Sequence, residues 1–175
     1  MTPRGRTTLI RLAVLLAIAG VGFALFQETV RRAETWAATR MLGAADAGEF
    51  TLQGPTVIVR PDDRVAFRAI VTPSCSSLAS VLAVGCLASL ARGYSRRRKL
   101  SAIGVAMATI VLGNVLRIAG SLLAGLIAGS GSLVLFHDSV GNVFSFAYTL
   151  GGYILMLYLL LPKTGEHISG AYVPA

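Results

Sequence analysis

Two apolar stretches, Cys75 to Ala91 and Leu100 to Arg117, flank a short loop that carries Arg92, Arg96, Arg97, Arg98 and Lys99 and no acid. Each stretch is about seventeen residues, close to what a helix needs to cross the hydrocarbon of a bilayer. A buried span must satisfy its own backbone hydrogen bonds, so both stretches are expected as helices. The rest of the chain agrees: with 54% hydrophobic residues, 14% charged and a mean hydropathy of +0.70 over 175 residues, no large soluble domain fits. A net charge of +8 would raise nucleic acid as a partner if it were spread over a surface. Its concentration in one loop reads instead as a topology signal, and no nucleic-acid partner is expected.

The expected fold is an all-α polytopic membrane protein with about four transmembrane helices and a small extracytoplasmic segment containing a β-hairpin. The first apolar run, Leu12 to Phe26, follows Arg4, Arg6 and Arg11. Extended to 7–27 it reaches span length, no small-x-small cleavage site follows it directly, and Arg11 can snorkel to the headgroups, so it reads as an uncleaved first span. Residues 28–74 hold six basic and six acidic residues and sum to zero, whereas the loop at 92–99 is +5. The positive-inside rule then puts 28–74 outside, the loop and the tail 162–175 in the cytoplasm, and both termini with them, in a cell inner or plasma membrane. Val30 to Leu42, with Trp36, is expected as an interfacial amphipathic helix. Pro55 to Val59 and Val65 to Val71 flank Pro61-Asp62-Asp63 and read as a hairpin that delivers the chain to Cys75.

The second span is expected at 75–91, the third at 100–117 with an extension, and the last at 140–161. Cys75 and Arg117 each rise roughly 25 Å from the basic loop at 1.5 Å per residue, which sets both near the outer face. Residues 118–136 contain Gly120, Gly125, Gly129 and Gly131 with Ser121, Ser130 and Ser132. They read as an outward extension, a Gly-Ser-Gly-Ser turn at 129–132 and a return, because a full extra span would put His137 on the other side. Ideal helices would leave Arg117 about 10 Å below His137, a gap that calls for a kink at Gly120 or a reaching arginine.

Three residue types on apolar segments then stand out: Cys75 in Pro73-Ser74-Cys75-Ser76-Ser77, Arg117 in Asn114-Val115-Leu116-Arg117-Ile118, and His137 in Phe136-His137-Asp138. A cation in an apolar segment costs a few kcal/mol and calls for a partner or a task. A thiol at a helix start, near a guanidinium, is favoured as the thiolate nucleophile. An imidazole serves as base and then acid near neutral pH, and Arg117 would hold the thiolate or a developing oxyanion. Each residue has a structural alternative: a small buried thiol, a helix-pairing charge, an interfacial histidine. Cys86, deep in mid-span, is read as buried packing. Asn114 is expected to satisfy a helix contact or to position Arg117. Asp138 either caps the following helix or orients His137.

On these residues the chain resembles the exosortase and archaeosortase family of membrane-embedded cysteine transpeptidases. The resemblance is carried by Cys75-Ser76-Ser77-Leu78 at the start of a span, similar to the family's Cys-Ser-Gly, by Asn114-x-x-Arg117-Ile118, and by His137 followed by Gly141 and Phe144, with order and spacing agreeing across 55–161. It implies a Cys75, Arg117, His137 triad and cleavage of substrate proteins at a C-terminal motif, transmembrane helix and basic cluster, with transfer to a cell-surface acceptor. Ser77 stands where the family has glycine, and the chain is shorter than typical members, which carry extra spans.

Hydrolysis by the same three residues, or a non-catalytic scaffold with the hairpin as docking surface, are the competing functions. No cofactor is expected, and no metal, since His167 is the only other histidine and no ligand cluster is spaced for one. If 75–86 is helical, Cys75 and Cys86 are roughly 16 Å apart, too far to bridge. Leu161-Pro162-Lys163-Thr164-Gly165 spells a soluble-sortase recognition motif but follows the last apolar run, where Pro162 reads as a helix stop and Lys163 as an anchor. The Arg96 to Lys99 run can also attract anionic lipid.

Overall fold

A computed structural model describes residues 3–61, 65–91 and 94–161, with side chains from Leu9 onward. The Asp62-Asp63 turn, Arg92, the side chains of Arg4 and Arg6, and the 162–175 tail with Pro162, Lys163 and His167 lie outside the described residues.

The chain is an all-α polytopic membrane protein with a small sheet set on one end. Helix α1 (Pro3–Ala44) is followed by strands β1 (Glu49–Gln53), β2 (Thr56–Arg60) and β3 (Phe67–Ile70), then α2 (Leu78–Leu90), α3 (Arg96–Ala128), α4 (Ser130–Leu135) and α5 (Gly141–Leu160). Three helical stretches, Leu9–Ala44, Arg96–Ala128 and Ser130–Leu160, are long and apolar enough to cross a membrane. The fourth apolar helix, α2, has 13 residues, about 20 Å of rise, and so falls short of the expected 75–91.

Helix α1 corrects the expectation of a separate interfacial helix. Between Gly22 and Gly43 the sequence has no glycine or proline to break it, and the helix is continuous over its 42 residues. Its first half turns Leu9, Leu16, Val21 and Phe26 outward, as a lipid-facing surface would. From residue 34 a buried stripe appears at Glu34, Ala38 and Leu42, spaced four apart on one face. Ala38 and Leu42 pack against the sheet.

The sheet is antiparallel in the order β1-β2-β3. The β2–β3 hairpin matches the expected one, pairing Val57 with Ala69 and Val59 with Phe67. β1 was not anticipated; it joins β2 through Gly54, held at φ +62°, and pairs Glu49 with Arg60 at the far end, where their side chains lie 3.5 Å apart. Val57, Val59, Ala69 and Val71 face inward and close one core with Ala38, Leu42, Ile118, Ala119 and Leu122. A second core lies towards the basic loop, where Val84, Ala88, Ala102, Ala106, Ile110, Met156 and Leu160 bring α2, α3 and α5 together.

The two ends of the helix bundle are tied differently. Near the basic loop, Arg98 donates to the carbonyls of Leu159, at 2.9 Å, and Leu161, while Lys99 reaches those of Ser89 and Ala91 at 3.2 and 3.0 Å. These are the orphan carbonyls of two helix C-termini, where cations are favoured. The basic run therefore also closes helix ends. At the sheet end α3 runs on past Arg117 without a break at Gly120, and the chain reverses at Gly129, whose φ of +89° suits glycine.

Close approach of α3 and α5 requires Gly152: a Cβ there would lie 2.9 Å from Ile110 and 3.2 Å from the Ala106 carbonyl oxygen, whereas one at Gly151 meets nothing within 4 Å. Gly152→Ala is expected to lower stability by about 1–3 kcal/mol, and Gly151→Ala to leave it unchanged or slightly raised. Thermal melts of the purified protein in one detergent check the pair.

Candidate active site

Cys75 sits in a turn, not at a helix start. The last ladder bond, Val71 N–H to the Pro55 carbonyl at 3.0 Å, releases the chain from the sheet. Pro73 then opens a single 3-10 turn, Pro73–Cys75, closed by Cys75 N–H to Thr72 O at 2.9 Å. Ser76 Oγ accepts from Leu78 N–H at 3.3 Å and so helps start α2, whose N-cap is Ser77. Serines at 74, 76 and 77 compete for local backbone bonds, which is why a turn replaces the expected first helical turn. The thiol is buried, and its neighbours replace the helix terminus as its local environment.

Those neighbours are His137 and Thr72. Cys75 Sγ lies 3.2 Å from His137 Nε2 and 3.1 Å from Thr72 Oγ1, which in turn is 2.8 Å from Ser74 Oγ. His137 belongs to a π-turn, Phe136–Val140, between α4 and α5, closed by Gly141 N–H to Phe136 O. Such turns widen a helix by one residue and recur at functional sites. The imidazole is thus aimed from a continuous helical segment that packs on α3.

Arg117 is buried at 5% exposure, and its Nε has no hydrogen-bond partner. One terminal nitrogen donates to Asn142 Oδ1 at 3.4 Å, and among the described residues no carboxylate pairs with it. Its charge lies within electrostatic range of His137. Counting equally along both helices from the reversal at Gly129, Arg117 falls opposite Gly141, one turn, about 6 Å of rise, from His137. A Cβ on Gly141 would lie 2.8 Å from Arg117 Nε, so the glycine makes room for the guanidinium.

The other sequence candidates take different places. Asn114 is fully buried and donates to the Cys75 carbonyl at 2.7 Å and to Glu34 Oε2 at 2.9 Å, while Tyr148 O–H donates to its Oδ1 at 3.0 Å. It therefore positions the Cys75 turn rather than Arg117. Asp138 is exposed; no helix begins there for it to cap, because the helix runs through, and among the described residues no hydrogen bond joins its carboxylate to His137. Only its carbonyl is used, accepting from Asn142 Nδ2 at 2.7 Å.

Sequence reasoning missed Glu34. This carboxylate, 3% exposed, accepts from Ser77 Oγ, from Ser77 N–H at 3.3 Å and from Asn114 Nδ2. Ser77, the point at which the chain departs from the Cys-Ser-Gly element, is the residue bound to it. One turn earlier, Arg31 pairs with Glu28 and donates to the Val71 carbonyl at 3.1 Å, so α1 grips the 71–77 segment at both ends. The signal was present as the four-residue spacing of Glu34, Ala38 and Leu42, which marks Glu34 as inward-facing on any helix through 34–42. Among the described residues no three His, Cys, Asp or Glu side chains group as metal ligands.

Two outcomes follow. Glu34→Ala strands the Ser77 N–H and the Asn114 amide and is expected to lower stability by about 2–3 kcal/mol, read from thermal melts against Glu28→Ala. In a Cys86→Ala background with Cys75 the sole thiol, His137→Ala is expected to slow iodoacetamide labelling at neutral pH by about tenfold; an unchanged rate would separate the imidazole from the thiol.

No curated protein and no solved structure matches this sequence. A family model described as transmembrane exosortase matches residues 2–157, which include Glu34, Cys75, Asn114, Arg117 and His137. With the match extending over most of its length, the chain belongs to the transmembrane exosortase family.

Proposed function

We propose that the protein is a membrane-embedded cysteine transpeptidase that cleaves surface proteins at a C-terminal sorting signal and passes the new carboxyl end to an acceptor in the cell envelope. The observation that carries this reading is the 3.2 Å approach of Cys75 Sγ to His137 Nε2, inside a chain of the exosortase family.

With its own proton on Nδ1, His137 takes the thiol proton at Nε2, and Sγ attacks the carbonyl carbon of the scissile peptide bond. As the C–N bond breaks, the imidazolium returns that proton to the leaving nitrogen, leaving a thioester on Cys75. An acceptor amine or hydroxyl, losing its proton to His137, attacks the thioester, and the thiolate departs and recovers the proton. Arg117, a buried cation with an unused Nε–H, holds the oxyanion of each tetrahedral intermediate. Asn114 and Glu34 keep the Cys75 turn in place, and Ser76 helps cap the helix that follows it. The residues require no cofactor for these steps.

The substrate is a protein ending in a short motif, one transmembrane helix and a basic cluster. Its helix enters from the lipid, and its motif meets Cys75 at the sheet end. The charge difference between the 92–99 loop and the neutral 28–74 segment supports a plasma-membrane orientation with the loop and both termini cytoplasmic and the site facing outward.

In the parent host, Cys75→Ala is expected to leave full-length substrate in the membrane; normal processing in that strain would contradict the reading. Arg117→Gln is expected to slow processing by roughly 10²-fold with unchanged protein levels. Mass spectrometry of the mature product separates transfer from hydrolysis: an adduct on the new C-terminus is expected, and a free carboxylate would assign water as acceptor.

A further inference from the structure

The sheet ends in an open edge beside the reactive pair. Among the described residues β3 pairs only with β2, and no strand lies against its second side. The register tells which backbone groups lie on that side. Val71 N–H bonds to Pro55, so Val71, Ala69 and Phe67 turn their backbone groups towards β2, and Arg68 and Ile70 turn theirs to the open edge. Among the described residues no backbone partner meets the N–H or C=O of Arg68 or Ile70 there. An unpaired edge of this kind is a template for an added strand.

The edge also leads to the chemistry. A crevice of about 50 Å³ is lined by Ala69 and Ile70 of β3, by Val71 just after it, and by Cys75, Leu133 and His137. Thus the strand edge, the thiol and the imidazole border one space. That volume admits a few water-sized bodies, and apart from Cys75, His137 and Ser121, whose hydroxyl donates to the Arg117 carbonyl, the walls are aliphatic, so a small apolar side chain fits it and an aromatic one does not.

We propose that the substrate's cleavage motif binds as an extended strand along the open edge of β3, hydrogen-bonded to the backbone of Arg68 and Ile70, with a small apolar side chain beside the scissile bond seated in this crevice. The inference rests on the transpeptidase reading and adds its substrate class: an extended segment recognised by its main chain and by the size of one side chain. Main-chain pairing fixes the register, so a peptide continuing past Ile70 brings its next carbonyl to Cys75 Sγ. A helical motif cannot use this edge, because its own N–H groups are already bonded.

The test uses the protein that accumulates uncleaved in the Cys75→Ala strain. Synthetic peptides spanning its junction, each with one N-methylated amide, are offered to the wild-type protein in detergent. Cleavage is expected to fall with a period of two, losing about tenfold where the methyl replaces an N–H facing β3 and little at the alternate positions. In parallel, Ile70→Pro removes an N–H that faces the edge while sparing the ladder to β2. It is expected to process about tenfold more slowly with the iodoacetamide labelling rate of Cys75 unchanged. Uniform tolerance of N-methylation overturns the proposal whether or not the proline variant folds, as does wild-type processing by a folded Ile70→Pro. Either result leaves the transpeptidase reading standing on the Cys75→Ala strain; if no protein accumulates in that strain, the reading itself fails and takes the proposal with it.

Discussion

A carboxylate buried among helices is costly unless donors surround it, and Glu34 is surrounded by the donors that shape this site. Ser77 supplies its hydroxyl and its N–H, and Asn114 supplies an amide proton. Each of these hydrogen bonds offsets part of the cost of burying the carboxyl group, and each donor would be left unpaired without it. Asn114 also holds the Cys75 carbonyl and receives Tyr148 from α5. One acid thereby joins α1, the Cys75 turn, α3 and α5 in a single polar layer between two apolar cores. Moving any one of these elements along its axis would break bonds in that layer, so the layer sets their register.

The Cys75–His137 contact depends on that register. Cys75 and His137 are 62 residues apart in sequence and come from a turn and a π-bulged helix, yet Sγ and Nε2 lie 3.2 Å apart. α3 serves both sides: Asn114 fixes the thiol's turn, and Arg117, one turn further on, occupies the space that Gly141 leaves open. An unsatisfied buried N–H such as Arg117 Nε is rare in folded proteins and calls for an explanation. Under the proposed function, a substrate oxyanion, present only during reaction, would supply one.

The elements legible in the sequence were those with strong local signals. Alternating apolar residues around 55–71 marked the β2–β3 hairpin, and apolar length marked the long helices. β1 escaped because Glu49 to Gln53 is short and mixed, and only its pairing with β2 gives it regular structure. The split of α1 into span and interfacial helix was drawn from polarity, although nothing between residues 23 and 42 breaks a helix. At the site, residue types and the family resemblance singled out Cys75, Arg117 and His137, while their support stayed hidden. Glu34 was counted as one of six acids in a neutral segment, and a charge sum erases which face a residue occupies. The π-turn has no periodic signature at all, since one inserted residue in a helix is set by tertiary packing.

The central claim, that a thiol held by this layer forms a covalent intermediate, is tested most directly by trapping it. Protein isolated from actively growing host cells, quenched in acid and digested, is predicted to yield a Cys75 peptide bearing the substrate's new carboxyl end as a thioester that hydroxylamine removes. Substrate turnover in cells whose Cys75 carries no such adduct, with hydroxylamine failing to release any substrate fragment, would contradict the account.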